Sequence, residues 1–288
     1  MRIRPLALAL SLVCCAGPGA PDYTPPDAAT LLKARPYLLH GPTNGSPAPL
    51  VVALHGYGGS GAEIGDDLQL TALAAAQGFW LALPDGTVGY NGGSFWNATT
   101  TGYPPFDAPY LAAVIGDVVK QHAIDPKRIY VVGYSIGAFM AHRLACDLSP
   151  QIAAIVSVAG AVTQVPALCV TTSPVSVLEV HGDDDQVITY DGSPFVGDPP
   201  RKSSPSAHDT IATWARNDHC TGAVAPTSQT LDLDSKLPGA ETSVEAYAGC
   251  PASVSVELWT IHGGQHQPDL QPDFGATIYG FLAAHPKP

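Results

Sequence analysis

Residues 129–140 read Ile129-Tyr130-Val131-Val132-Gly133-Tyr134-Ser135-Ile136-Gly137-Ala138-Phe139-Met140, a short apolar run that passes through a glycine-flanked serine into a helix-compatible stretch. The strand candidate Ile129 to Val132 ends directly at Gly133, and the helical run continues through Ala141, His142, Arg143 and Leu144. A strand that turns sharply into a helix in this way holds the serine hydroxyl out at the carboxyl end of a sheet, where α/β folds place their ligands. Glycines flank such a serine because side chains there would collide with the neighbouring elements. The alternative is a glycine-rich strand-to-helix turn without chemistry.

Working outward, further apolar β-rich runs occur at Leu50 to Leu54, Phe79 to Leu83, Ile152 to Val158, Val175 to Val180 and Val254 to Ile261. Helix candidates alternate with them at Leu68 to Gln77, Ala108 to His122, Ile136 to Leu148, Ala207 to Asn217 and Phe274 to His285. Continuous apolar strands separated by helices predict an α/β fold, with a mostly parallel sheet covered on both faces. The Gly-, Ser- and Pro-rich stretch 191–205 reads as a long surface loop.

A serine hydroxyl becomes a nucleophile when a base takes its proton and an acid orients that base. In the α/β-hydrolase order, the acid and then the histidine follow the serine along the chain. The run ending at Val180 leads into His181-Gly182-Asp183-Asp184-Asp185, and spacing alone leaves all three acids open. The last strand leads into His262-Gly263-Gly264-Gln265-His266. His262 sits at the strand end. His266 lies beyond two glycines that let the chain turn back, which favours it as the base. After Leu54 the turn His55-Gly56-Tyr57-Gly58-Gly59 can aim a main-chain N–H at a developing oxyanion, paired with the N–H after the nucleophile. Tyr57 and Ile136 are thus the expected backbone donors, with His55 serving the turn and Asp85 acting as a turn acid. Trp96, on the glycine-rich loop before Asp107, is a candidate to stack on substrate; the alternative is that it anchors its own loop.

The full chain of 288 residues has 13 basic and 25 acidic side chains, a formal net charge of −12. A polyanion binder carries a basic face, so nucleic acid and anionic membrane are not expected partners. Arg2 and Arg4 precede the apolar run Leu6 to Val13 and a small-residue exit, so residues 1–20 read as a secretory signal peptide. Lipoprotein anchoring through Cys14 or Cys15 is the alternative, and no segment is long and apolar enough to span a bilayer. Residues 21–32 read as an N-terminal tail and 33–288 as one catalytic domain. The other four cysteines fit two disulfides of an exported chain, and pairing Cys146–Cys169 and Cys220–Cys250 closes the shortest loops. No Cys-x-x-Cys pair suggests a metal site.

In order along the chain stand His55-Gly56-Tyr57-Gly58-Gly59-Ser60, Pro84-Asp85-Gly86, Phe95-Trp96-Asn97-Ala98, Asp125-Pro126-Lys127-Arg128-Ile129-Tyr130, the serine turn, His181-Gly182-x-x-Asp185 and Gly263-Gly264-x-His266. Together they resemble the extracellular polyhydroxybutyrate depolymerase-like esterases, which include feruloyl and acetylxylan esterases. The resemblance spans roughly Arg35 to Leu282. It implies an α/β-hydrolase without a large cap domain, free of metal and organic cofactor. It also selects the acid, since the family's His-Gly-x-x-Asp falls on Asp185 and its Gly-Gly-x-His on His266. Cys146 and Cys250 sit where similar sequences carry cysteines. The chain departs from many members in having Ile136 after the nucleophile, Gln267-Pro268 after the histidine and Ala108 after Asp107, which bears on substrate identity. The expectation is a secreted serine esterase acting through an acyl-enzyme on a plant-polysaccharide ester, a hydroxyalkanoate polyester or a small ester. Alternatives are another acyl hydrolase on the same scaffold (peptidase, thioesterase or lipase) and a catalytically silent secreted binding protein or structural lipoprotein. The sequence says nothing of oligomeric state.

Overall fold

Successive residues of the buried strands serve opposite faces of the sheet. Leu50, Val52 and Leu54 belong to one core cluster, Val51 and Ala53 to the other. The structure, a computed structural model, describes residues 24–42, 45–98, 104–192 and 204–288. Its strands are β1 (Tyr37–His40), β2 (Ala48–Leu54), β3 (Trp80–Pro84), β4 (Thr87–Val88), β5 (Ser94–Phe95), β6 (Ile124–Tyr134), β7 (Ala154–Val158), β8 (Ser176–Gly182), β9 (Val224–Leu231), β10 (Thr242–Tyr247) and β11 (Val256–Ile261). The helices are α1 (Ala28–Ala34), α2 (Gly61–Asp67), α3 (Leu70–Gln77), α4 (Asp107–Gln121), α5 (Ile136–Asp147), α6 (Ala207–Asn217) and α7 (Phe274–Ala284).

Nine strands form one sheet in the order β1-β3-β2-β6-β7-β8-β11-β10-β9. The six from β3 to β11 run parallel, and β1, β10 and β9 are antiparallel additions at the edges. Helices α4, α5 and α6 cover one face through Tyr110, Leu111, Met140, Leu144, Ile211 and Trp214. Helices α2, α3 and α7 cover the other through Ile64, Leu70, Phe274, Ile278 and Leu282. Each fully buried side chain of this kind stabilises the fold by about 1.5–3 kcal/mol. The chain runs from β2 outward to β3 and then returns past β2 to β6, so a crevice opens between the ends of β2 and β6. Crevices at such reversals are where open α/β sheets bind ligands.

The expected α/β-hydrolase architecture is present, and the differences lie at its margins. The helix expected from Leu68 to Gln77 is interrupted by Gln69, which adopts φ 58° and separates α2 from α3. Strands β1, β9 and β10, and the small β4–β5 pair, were not expected. β9 is an exposed edge carrying Pro226, a residue sheets tolerate at edges, and it lacks an apolar run. Part of the segment read as an N-terminal tail, from Ala28, is helix α1, which packs against α4. The proposed leader, residues 1–20, lies outside the described residues, as does most of the 191–205 stretch.

Disulfides join Cys146 at the end of α5 to Cys169, and Cys220 just after α6 to Cys250 before β11. Closing loops of this size is worth about 3 kcal/mol each on the chain-entropy account.

Candidate active site

Ser135 follows β6 and precedes α5 with φ 53° and ψ −121°, a backbone conformation costly for a residue with a side chain. Neighbouring backbone enforces it. A Cβ on Gly133 would lie 2.2 Å from the Gly137 carbonyl oxygen, and one on Gly137 would lie 2.2 Å from that of Leu54. The Ser135 amide donates to the Val158 carbonyl at 2.9 Å, tying the turn to β7.

The acid and the base leave neighbouring parallel strands, β8 and β11, whose ends pair Gly182 with Ile261. Their loops interlock. The Asp184 amide donates to the Gly264 carbonyl at 3.0 Å, and a Cβ on Gly182 would strike that carbonyl oxygen at 2.1 Å. The interlock sorts the residues that spacing left open. Asp183 Oδ2 meets His262 Nδ1 at 2.8 Å, Asp184 accepts from Gln186, and Asp185 Oδ2 meets His266 Nδ1 at 2.7 Å. His266 Nε2 lies 2.9 Å from Ser135 Oγ. A carboxylate only accepts, so the His266 proton belongs on Nδ1 and Nε2 is free to accept from the serine hydroxyl. Burial opposes charge on Asp185. Bonds from His181, His266 and the amides of Val187 and Ile188 outweigh it and hold the carboxyl well below its ordinary value.

Tyr57 lies on the turn after β2, whose Gly56 approaches the serine. A Cβ on the preceding Gly56 would come within 3.6 Å of Ser135 Cβ. Ile136 is the first residue of α5, so its N–H has no carbonyl of its own helix to reach. Its side chain packs, half-buried, against the α4–α6 core. His55 is locked in the turn by Nδ1 to the Gly56 carbonyl at 2.7 Å and by the Gly86 amide donating to Nε2 at 2.8 Å. Burial lowers its pKa.

Trp96 is not a substrate wall. It is 1% exposed, its indole donates to the His55 carbonyl at 3.0 Å, and it fixes its loop against the turn after β2. A large flat ring on a glycine-rich loop serves an anchor as well as a platform, which is why the sequence left both open.

Beside the triad, a cleft of about 240 Å³ is lined by Ile64, Asp67, Gln69, Tyr134, Gln267 and Asp269, among others. Tyr134 and Gln267 adjoin Ser135 and His266 in the chain, and the Tyr134 hydroxyl donates to the His266 carbonyl at 3.1 Å. Behind the triad lie two residues that sequence reasoning missed, His142 and Glu179, bonded to each other and, through Glu179, to His181. The signal was a glutamate near the end of the mostly apolar run Val175 to Val180.

Fold and crevice define an α/β-hydrolase. The family described as phospholipase/carboxylesterase matches residues 106–193. The putative esterase NocK of Nocardia uniformis subsp. tsuyamanensis is 31% identical over 251 residues, covering 81% of this chain and 70% of NocK. Feruloyl esterase B of Piromyces equi is 29% identical over 229 residues, covering 78% of this chain but 40% of that protein. The structure is similar to that of an acetyl xylan esterase from Aspergillus awamori, with a TM-score of 0.60 at 16% identity, covering 86% of this chain and 93% of the other. At that identity the likeness concerns the fold. The chain belongs to the polyhydroxybutyrate depolymerase-like esterases, carboxylic ester hydrolases of the α/β-hydrolase superfamily.

Proposed function

We propose that this protein is a secreted serine esterase that cleaves feruloyl or acetyl esters of plant polysaccharide through an acyl-enzyme. The observation that carries the reading is the unbroken path Asp185–His266–Ser135, with bonds of 2.7 and 2.9 Å. Ser135 Oγ attacks the ester carbonyl while His266 Nε2 takes its proton, and Asp185 holds the imidazole and stabilises its charged form. The Tyr57 and Ile136 amides bind the oxyanion. His266 returns the proton to the departing alcohol, and water, activated in the same way, releases the acid.

Two things support the substrate class: the relatives named for feruloyl and acetyl xylan esters, and the mixed lining of the cleft. Asp67, Gln267 and Asp269 suit the hydroxyls of a sugar, while Ile64, Leu68, Val158, Pro268 and Leu270 offer an apolar side. Two disulfides support an oxidising destination. Among the described residues no helix is long and apolar enough to cross a membrane.

The test is a fluorophosphonate probe followed by a substrate panel on the purified protein. One probe per chain, on Ser135, with turnover of methyl ferulate or acetylated xylan, is the expected result. An unlabelled Ser135 would overturn the mechanism. Turnover confined to hydroxybutyrate oligomers would overturn the substrate class alone. Mass spectrometry of the mature N-terminus checks export: loss of residues 1–20 is expected, and a lipidated Cys14 or Cys15 would mean an anchored protein.

A further inference from the structure

The buried polar residues behind the triad form one chain of hydrogen bonds whose proton positions follow from donor and acceptor chemistry. It starts at the Trp214 indole on α6, a donor only, 2.9 Å from His142 Nδ1. That nitrogen is therefore bare, and the His142 proton sits on Nε2, 3.1 Å from Glu179 Oε2. The other carboxylate oxygen, Oε1, lies 3.1 Å from His181 Nδ1. His181 Nε2 is 2.8 Å from the Ile188 carbonyl oxygen, an acceptor only, so Nε2 carries a proton in either charge state of the ring. The same nitrogen is 3.5 Å from Asp185 Oδ2.

One proton remains to be placed, on Glu179 Oε1 or on His181 Nδ1. On Nδ1 it makes an imidazolium between two carboxylates; on Oε1 it leaves a neutral ring beside the charged Asp185. Two flanking carboxylates favour the imidazolium. Burial opposes the charge, but bonds to Asp185 and Glu179 outweigh it and push His181 up to about 10. Burial alone would raise Glu179, yet bonds from His142 and His181 hold it below its ordinary value. The other groups around the ring are neutral or remote. Tyr190 meets it edge-on with centroids 5.8 Å apart and bonds Thr260 on β11, while His208 and its partner Glu245 lie beyond Tyr190.

We propose that His181 is a positioning residue for the ester cleavage: a standing imidazolium, held by Glu179, that shares the Asp185 carboxylate with His266 and tunes how readily His266 takes the serine proton. This rests on the triad reading above. With a second cation at its back, Asp185 stabilises protonated His266 less than an unshared carboxylate would.

Glu179→Gln tests this with little change of shape. The amide oxygen accepts from His142 Nε2, the amide N–H donates to His181 Nδ1, and His181 becomes neutral with its bond to Ile188 intact. The acid limb of the kcat/KM profile on p-nitrophenyl acetate should then move to higher pH by about one unit, with KM within about twofold. A merely structural role would lower the rate at every pH without moving the limb, and an unmoved limb overturns the proposal. A second measurement needs no variant. ¹⁵N NMR of the wild-type chain should show one imidazole protonated on both nitrogens at about pH 8.5, where ordinary histidines are neutral. Its absence overturns the proposal too. Failure of the triad reading is distinguishable, because it leaves Ser135 unlabelled by fluorophosphonate while the imidazolium signal persists.

Discussion

Ser135, His266 and Asp185 are joined by contacts of 2.9 and 2.7 Å. Ser243, His262 and Asp183 are joined through the same two ring nitrogens by contacts of 2.9 and 2.8 Å. The two histidines flank one glycine pair, and the two aspartates flank Asp184. Their settings differ. Ser135 stands at a strained turn beside the first amide of α5, whereas Ser243 lies within β10, paired to Thr230 on one side and Thr260 on the other. The Asp185 side chain is 0% exposed and that of His266 16%, against 36% for Asp183 and 56% for His262. Hydrogen-bond geometry alone therefore does not separate the two trios; burial and backbone setting do. In water the aspartate's field on the histidine is screened, and a ladder strand offers no amide to a developing oxyanion.

The largest expected contrast is at the two serines. Ser135→Ala should lower kcat on p-nitrophenyl acetate by about 10⁵-fold or more, the scale seen when a triad nucleophile is removed. Ser243→Ala should leave kcat within about twofold. Substantial turnover in Ser135→Ala would mean that the exposed trio, or something else, does the chemistry.

The acids give the next contrast. In Asp185→Asn the amide N–H faces His266 Nδ1 and imposes the wrong tautomer, so kcat should fall about 10⁴-fold. Asp183→Asn keeps an oxygen for the Gly263 amide, which donates to Asp183 Oδ1 at 2.6 Å, and should cost less than about tenfold. Steady-state kinetics on the two purified variants decide it, and equal losses would erase the distinction between buried and exposed aspartate.

How much of this was legible in the sequence follows from what each residue had to signal. The parallel core showed because strands covered on both faces are apolar at every position, as in Leu50 to Leu54 and Ile129 to Val132. Edge strands gave no such signal: β1 alternates over four residues and β9 is almost wholly exposed. Helix α2 did carry a sign, an N-cap serine three residues before a glutamate, the Ser60 hydroxyl donating to Glu63 and accepting from its amide, but seven residues with two glycines hid it. Ser135 was legible because its turn needs two glycines at fixed spacing. Asp185 was not separable from Asp183 and Asp184 by spacing, because the choice depends on how the β8 loop interlocks with a loop 80 residues away. His142 stayed hidden because a lone histidine in an Ala-rich helix looks the same whether or not it bonds a buried glutamate.

The smallest expected effect isolates what the exposed trio contributes. His262 bonds Asp183 and Ser243, yet the loop that carries His266 is held mainly by backbone: Gly264 donates to Ile261 and Asp184 donates to Gly264, each at 3.0 Å. An exposed pair of this kind is worth under about 1 kcal/mol, because water screens it and ordering the side chains opposes it. His262→Ala should therefore leave kcat within about twofold and change unfolding free energy in urea by less than about 1 kcal/mol. A large loss of activity at unchanged stability would mean that the side chain itself sets the His266 loop, making the exposed trio a working support of the buried one.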